Sequence, residues 1–347
     1  MKTIKKDFFT SIVGNHALRQ RLGEDILNRT LPHAMILEGP RGTGKHTLAR
    51  LCAAALVCEK KDHSTEALPC LTCLSCKKVL EGKSPDLITV GTEGKTTIGV
   101  DTVRFLREDV TVIPNDSEYK IYLIEDSDKM TAQAQNALLL TLEEPPSYIH
   151  FFLLCENAEL LLETIRSRAP ILRTEPIPME QMDQYLCEQD RRAAQMKLAD
   201  PQGYAELLIS ARNGIGQALG YLDGNSFLPV RQKRALATEF LSVAIKKGNA
   251  TVMVPLLLRF SSKRDLLLEQ LLAISDALRD LILLKKNDTA ILIFYANRDE
   301  AIDLCDRVSI QFLYQLKDAI HNAIEEIKRN ANVRLTLIKM MQTAQLL

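Results

Sequence analysis

Short apolar runs alternate with helix-length stretches between Ala34 and about Arg173. Ala34–Glu38, Asp86–Val90, Lys120–Glu125 and Ile149–Cys155 are mostly continuous in apolar residues, the pattern of strands buried on both faces. Lys45–Val57, Asp101–Val112 and Thr131–Leu142 supply the intervening helices. Such alternation predicts an α/β domain, a parallel sheet covered by helices. It ends near Thr174-Glu-Pro-Ile-Pro-Met, where two prolines block a helix and the strand signals fade. The expected division is therefore 1–176 for the α/β domain, 177–223 for a small helical unit, and 224–347 for an all-helical remainder. In that remainder Leu267, Leu271, Ile274, Leu278 and Leu281 recur on one helical face and read as packing, with Ser262 and Asp265 as N-cap and partner.

Composition narrows the classes. Lys+Arg and Asp+Glu both total 44, so no net field draws the chain to nucleic acid or to an anionic membrane. Trp is absent and aromatics are only 5%, which leaves no evident stacking platform for single strands. The start, Met1–Asp7, is lysine-containing but leads into polar residues, so no signal peptide and a cytoplasmic location are expected. The apolar runs are shorter than the roughly 18 residues a spanning helix needs. Eight cysteines are present, and Cys58, Cys70, Cys73 and Cys76 crowd together. In a reducing compartment that spacing points to a closed tetrahedral Zn²⁺ site with a structural role, needing neither Asp62, His63 nor Lys77. Cys52, Cys155, Cys187 and Cys305 read as core residues.

Gly39-Pro-Arg-Gly-Thr-Gly-Lys45-His-Thr47 follows one predicted strand and opens one predicted helix, the setting of a phosphate-binding loop. Gly39, Gly42 and Gly44 would let backbone amides curl round phosphate oxygens, and Lys45 would reach the outer ones. ATP with Mg²⁺ is the ligand such a loop implies; a glycine-rich turn without a ligand is the alternative. The hydroxyl that binds Mg²⁺ normally follows the lysine directly, whereas here His46 does and Thr47 comes one step later, rotated by about 100°. Glu125 and Asp126 end a predicted strand where acids face the crevice of a parallel sheet. Their order is the reverse of the usual Asp-then-Glu, so both carboxylates would be displaced by about one bond, which compromises hydrolysis. A solvated acidic turn that includes Asp128 is the other reading. Arg166 and Arg168 lie in a turn at the domain edge, either solvated or able to reach a phosphate on a neighbouring subunit.

Phe9–Asn15, Gly39–Lys45, the four cysteines, Asn136-Ala-Leu-Leu-Leu-Thr-Leu-Glu-Glu-Pro-Pro146, Ile165-Arg-Ser-Arg168 and Asn330-Ala-Asn-Val-Arg-Leu335 together resemble the AAA+ subunits of the bacterial DNA polymerase III clamp loader. The resemblance implies an AAA+ domain with zinc bound at 58–76, a helical lid and a helical collar. It also implies a hetero-pentamer with gamma/tau and delta subunits that acts on the sliding clamp and primed DNA. Two roles exist in this family: a gamma/tau motor that hydrolyses ATP, and a delta-prime stator that offers an arginine to the motor's site. Departures at His46, at Glu125-Asp126, at Cys155-Glu156 where a polar sensor would stand, and at Gly216 in place of the lid's sensor arginine favour the stator. Arg168 is then the trans arginine finger, although Ala169 replaces the usual Cys and Leu140 a usual Lys. An autonomous ATPase and a zinc-dependent nucleic-acid-binding module are the competing classes.

Overall fold

The computed structural model describes residues 8–60, 67–92, 94, 96–212, 214–223, 227–246 and 250–346. Met1–Asp7, Asp62, His63 and the Gly224-Asn-Ser boundary of the sequence reading lie outside them. Two compact units are present, one of residues 1–185 with 213–217 and one of 186–212 with 218–347.

The first unit runs α1 (His16–Leu27), β1 (Ala34–Glu38), α2 (Lys45–Leu56), α3 (Leu74–Leu80), β2 (Leu87–Val90), α4 (Val100–Asp109), β3 (Lys120–Ile124), α5 (Ala132–Glu143), β4 (Ile149–Cys155), α6 (Glu163–Arg166), β5 (Ile171–Arg173) and the first part of α7 (Met179–Gln189). The five strands form one parallel sheet in the order β2-β3-β4-β1-β5. Alternation along each strand divides its side chains between two cores. Met35, Leu37, Ile121, Leu123, Phe152 and Leu154 pack on one face with residues of α1, α2 and α3. Ala34, Ile36, Tyr122, Ile124, Phe151 and Leu153 pack on the other with residues of α4 and α5. Burial on both faces is why these strands read as continuous apolar runs. Register pairs Glu38 with Cys155 and Ile124 with Leu153, so the carboxyl ends of β1, β3 and β4 lie side by side. That edge is where the sheet presents its ligand crevice.

The second unit is helical: α8 (Arg191–Ala199), α9 (Pro201–Ser210), the later part of α10 (Ile215–Leu222), α11 (Phe227–Ile245), α12 (Ala250–Leu257), α13 (Arg264–Lys286), α14 (Arg298–Asp306), α15 (Ile310–Lys328) and α16 (Val333–Thr343). The expected α13 stripe, Leu267, Leu271, Ile274, Leu278 and Leu281, is fully buried. The expected Ser262 cap is not formed. The helix begins one residue later than that cap requires, with Lys263 at the N-cap, no side-chain cap bond, and Asp265 in the first turn. Asp280, also fully buried, ties down the loop beyond α13 by accepting the amides of Ile293, Phe294 and Tyr295 at 2.9, 2.7 and 3.2 Å. Among the described residues no helix is long and apolar enough to cross a membrane.

Candidate functional site

The loop between β1 and α2 takes the shape its glycines allow. Gly42 and Gly44 have φ of +78° and +86°, a region that side chains with a Cβ resist. Gly42 is also closely approached, since a Cβ there would lie 3.1 Å from both the Gly214 Cα and the Gln217 Cβ. The Thr43 hydroxyl lies 2.8 Å from the Pro40 carbonyl oxygen and 2.9 Å from the Thr174 hydroxyl, bracing the loop against the end of β5. Lys45 opens α2 and is buried, its Nζ donating to the carbonyls of Gly39 and Pro40 at 2.5 and 2.7 Å. Burial lowers the pKa of this ammonium, while Glu156 and other nearby anions oppose the shift. Position 216 faces the loop, with a Cβ there 3.8 Å from the Gly42 Cα, but glycine places no charge on it.

The residues next to this loop are engaged with one another. The His46 Nδ1 lies 2.9 Å from the Glu125 Oε1. The two departures that the sequence shows separately, the imidazole after the lysine and the glutamate at the strand end, thus form one pair. Asp126 has left-handed backbone (φ +50°), and its carboxylate meets the Lys129 Nζ at 3.1 Å. Asp128 accepts the amides of Glu156 and Asn157 at 3.1 and 3.4 Å, while Glu156 pairs with the Arg41 Nε at 2.5 Å. Thr47 is exposed on α2. Sequence reasoning missed Arg41 as a partner; its only signal is its place inside the glycine-rich loop. A hard, six-coordinate Mg²⁺ needs free oxygen donors. An imidazole bound to a carboxylate and an aspartate bound to a lysine do not fit that need, whereas the loop and Lys45 retain the makings of a phosphate cradle.

The four sequence-predicted cysteine ligands come together. The sulfur atoms of Cys58, Cys70, Cys73 and Cys76 all lie within 4.8 Å of one another, with Cys70 and Cys76 4.0 Å apart. Four sulfurs around a metal at about 2.3 Å stand about 3.8 Å apart at the corners of a tetrahedron, so the donor set fits a metal ion. The Cys73 amide donates to the Cys70 Sγ and the Cys76 amide to the Cys73 Sγ, each at 3.4 Å. Burial raises the Cys70 pKa, but the Cys73 amide and Thr72 outweigh it and bring the thiol down to about 6. Cys76, more deeply placed, is pushed up by burial and by its sulfur neighbours. Cys52, Cys155 and Cys305 are buried as expected; Cys187 is half-buried, its Sγ 3.5 Å from the Tyr204 hydroxyl.

Arg168 follows α6 with its side chain about one-third exposed. Its Nη2 pairs with the Glu143 carboxylate at the end of α5 at 2.7 Å, and its Nη1 donates to the Thr164 carbonyl at 2.9 Å. The guanidinium is thereby held in one direction with donors to spare. Ala169, the next residue, is buried, and the buried Nε of Arg166 has no hydrogen-bond partner among the described residues.

Residues 14–178 match the family described as "DNA polymerase III, delta subunit". The delta' subunit of Bacillus subtilis is 33% identical over 220 residues, covering 62% of this chain and 62% of that protein. The tau subunit of the same species is 31% identical over 216 residues, covering 62% of this chain and 37% of that one. The gamma subunit of Buchnera aphidicola subsp. Schizaphis graminum is 34% identical over 160 residues, covering 46% and 43%. The chain thus spans less than half the length of these tau and gamma relatives. A gamma subunit-related protein of Thermotoga maritima of known structure aligns with a TM-score of 0.43 at 17% identity, covering 94% of this chain and 97% of that one. The glycine-rich loop and the parallel sheet lie within the matched segment, so the α/β unit of this chain is similar to subunits of DNA polymerase III.

Proposed function

We propose that this chain is a delta-prime-like stator of the DNA polymerase III clamp loader, which helps place the sliding clamp on primed DNA without turning over ATP itself. In this reading 1–176 is the AAA+ domain, 177–223 the lid and 224–347 the collar. The collar holds the chain in a cytoplasmic hetero-pentamer with gamma/tau and delta subunits. Zn²⁺ bound by Cys58, Cys70, Cys73 and Cys76 has a structural role. The chain is then part of a nucleotidyltransferase holoenzyme and is itself a weak or inactive ATPase.

The pairing of His46 with Glu125 is the observation that carries this reading. Hydrolysis in a phosphate loop requires a metal held between the loop hydroxyl and the strand-end carboxylate, and both positions are committed to each other. Arg168 supplies what a stator can offer instead: a permanently charged, planar group, steadied by Glu143 and Thr164 and partly open to solvent. Presented to ATP bound by a neighbour, it would stabilise charge on the transferring phosphoryl group, an effect worth roughly 10³-fold or more where such an arginine is essential.

The intact run from Gly39 to Lys45 favours the second reading, a gamma/tau-like motor. Reconstitution with motor and delta subunits, clamp and primed DNA separates the two. The stator reading expects Arg168→Ala to lower the ATPase of the complex by roughly 10²-fold or more and Lys45→Ala to leave it near wild type. Loss of turnover with Lys45→Ala and none with Arg168→Ala would establish the motor instead.

A further inference from the structure

We infer that His46 and Glu125 act as a single unit that excludes a divalent cation from the phosphate loop, so that any nucleotide bound there is bound without Mg²⁺. The inference rests on the clamp-loader reading of the loop and adds to it the residues that set its metal requirement.

A carboxylate is an acceptor only, so the nitrogen 2.9 Å from the Glu125 Oε1 must carry the proton between them. That nitrogen has no lone pair left for a metal, and a cation at Glu125 would have to share or displace its hydrogen bond to the carboxylate. The neighbouring carboxylates are engaged as well. The left-handed backbone at Asp126 gives its carboxylate to Lys129 at 3.1 Å, with the Thr92 hydroxyl 3.5 Å away. Asp128 is occupied by the amides of Glu156 and Asn157, and Glu156 by Arg41. Mg²⁺ gives up its water reluctantly and accepts only well-placed oxygens, so a site lacking two of them at once does not recruit it. The phosphate-binding half differs: Lys45 donates to the Gly39 and Pro40 carbonyl oxygens, which a phosphate oxygen can replace as its partner.

The pair also explains why the two departures occur together. His46→Thr alone restores the hydroxyl but leaves the longer carboxylate, and Glu125→Asp alone leaves the imidazole in place. Only both changes rebuild a hydroxyl and an aspartate on opposite sides of a cation, so their effects on metal binding are coupled.

The test uses the full zinc-loaded chain and ADP, with affinity measured by calorimetry with and without Mg²⁺. For the wild type and for each single variant, Mg²⁺ is expected to change ADP binding by less than about twofold. The His46→Thr/Glu125→Asp variant is expected to gain on the order of tenfold or more when Mg²⁺ is added. The unfolding midpoint and metal content of each variant report its integrity, and a His46→Ser/Glu125→Asp variant repeats the test should the first not fold. A tenfold tightening by Mg²⁺ in the wild type, a full gain from either single change, or no gain from both would overturn the inference. None of these results alters the Arg168 assay, so failure here and failure of the stator reading are separately visible.

Discussion

Cys73 does two things in the cysteine cluster. Its sulfur is one of the four that converge, and the same atom caps α3 by accepting the Cys76 amide. Serine is also a good N-cap, so Cys73→Ser keeps the helix start while removing one of the four converging sulfurs. The expected outcome is loss of about one equivalent of bound metal and a fall in stability of roughly 3–5 kcal/mol, because binding energy at a structural site is folding energy. Metal analysis of protein purified without chelator, with thermal unfolding, checks both; wild-type protein containing no metal would refute the assignment. At this scale the convergence of the four cysteines is legible because their spacing alone announces it. What stayed hidden were partners chosen by three-dimensional proximity: Glu143 for Arg168, Glu156 for Arg41 and Glu125 for His46. Each is a charge distant in sequence from its mate, and a one-dimensional pattern does not encode which surface charges meet.

The elements divide by how they are buried. β1, β3 and β4 match their predicted ranges to within one residue because burial on both faces leaves an unbroken apolar signal, and β2, α2, α4 and α5 end within a few residues of theirs. β5, Ile171–Arg173, is a three-residue edge strand with one buried side chain, too short to stand out. Helix α1 was hidden by its charges. Its Arg19 is buried and donates to the Phe8 and Ile12 carbonyls, doing with hydrogen bonds what an apolar residue would do by packing. A similar device organises the approach to β3, where buried Asp86 accepts the amides of Asn115 and Asp116 at 2.6 and 2.8 Å and the Ser117 hydroxyl at 2.9 Å. Burial disfavours this carboxylate, but the amides outweigh that and hold its pKa below the usual range. Asp86→Ala leaves those donors unsatisfied and is expected to cost about 2–4 kcal/mol, with Asp86→Asn less damaging because its oxygen still accepts. Urea unfolding is the measurement, and an unchanged midpoint in Asp86→Ala would contradict the account.

For the whole molecule, equal totals of basic and acidic residues mean that near neutrality its pH dependence comes from particular groups rather than from net repulsion. His150, in β4, is buried with its Nδ1 3.0 Å from the Pro32 carbonyl oxygen. Burial lowers its pKa, the Pro32 contact opposes this, and the nearby His33 adds to the lowering. In the unfolded chain the same ring titrates near its ordinary value of about 6.5. Below that value the unfolded state binds the proton more readily, so the stability due to neutral, buried His150 is present above about pH 6.5 and declines as the pH falls beneath it. Asp86 and Glu38 act lower down. Burial works against both carboxylates, yet amides and, for Glu38, Arg173 depress their pKa values, so their contribution is present above about pH 4 and is lost as the pH falls further. Two limbs are therefore expected in acid, a shallow one below about pH 6.5 and a steeper one below about pH 4. Hydrogen exchange of the β4 amides follows the α/β unit without requiring both units to unfold together. Because the Cys70 thiol, brought down to about 6, also titrates in acid, the informative quantity is the difference between wild type and His150→Phe, in which the upper limb should be absent while the lower one persists. A wild-type profile that is flat from pH 7 to 5.5, or an upper limb that survives in His150→Phe, would place the acid sensitivity of this unit elsewhere than in β4.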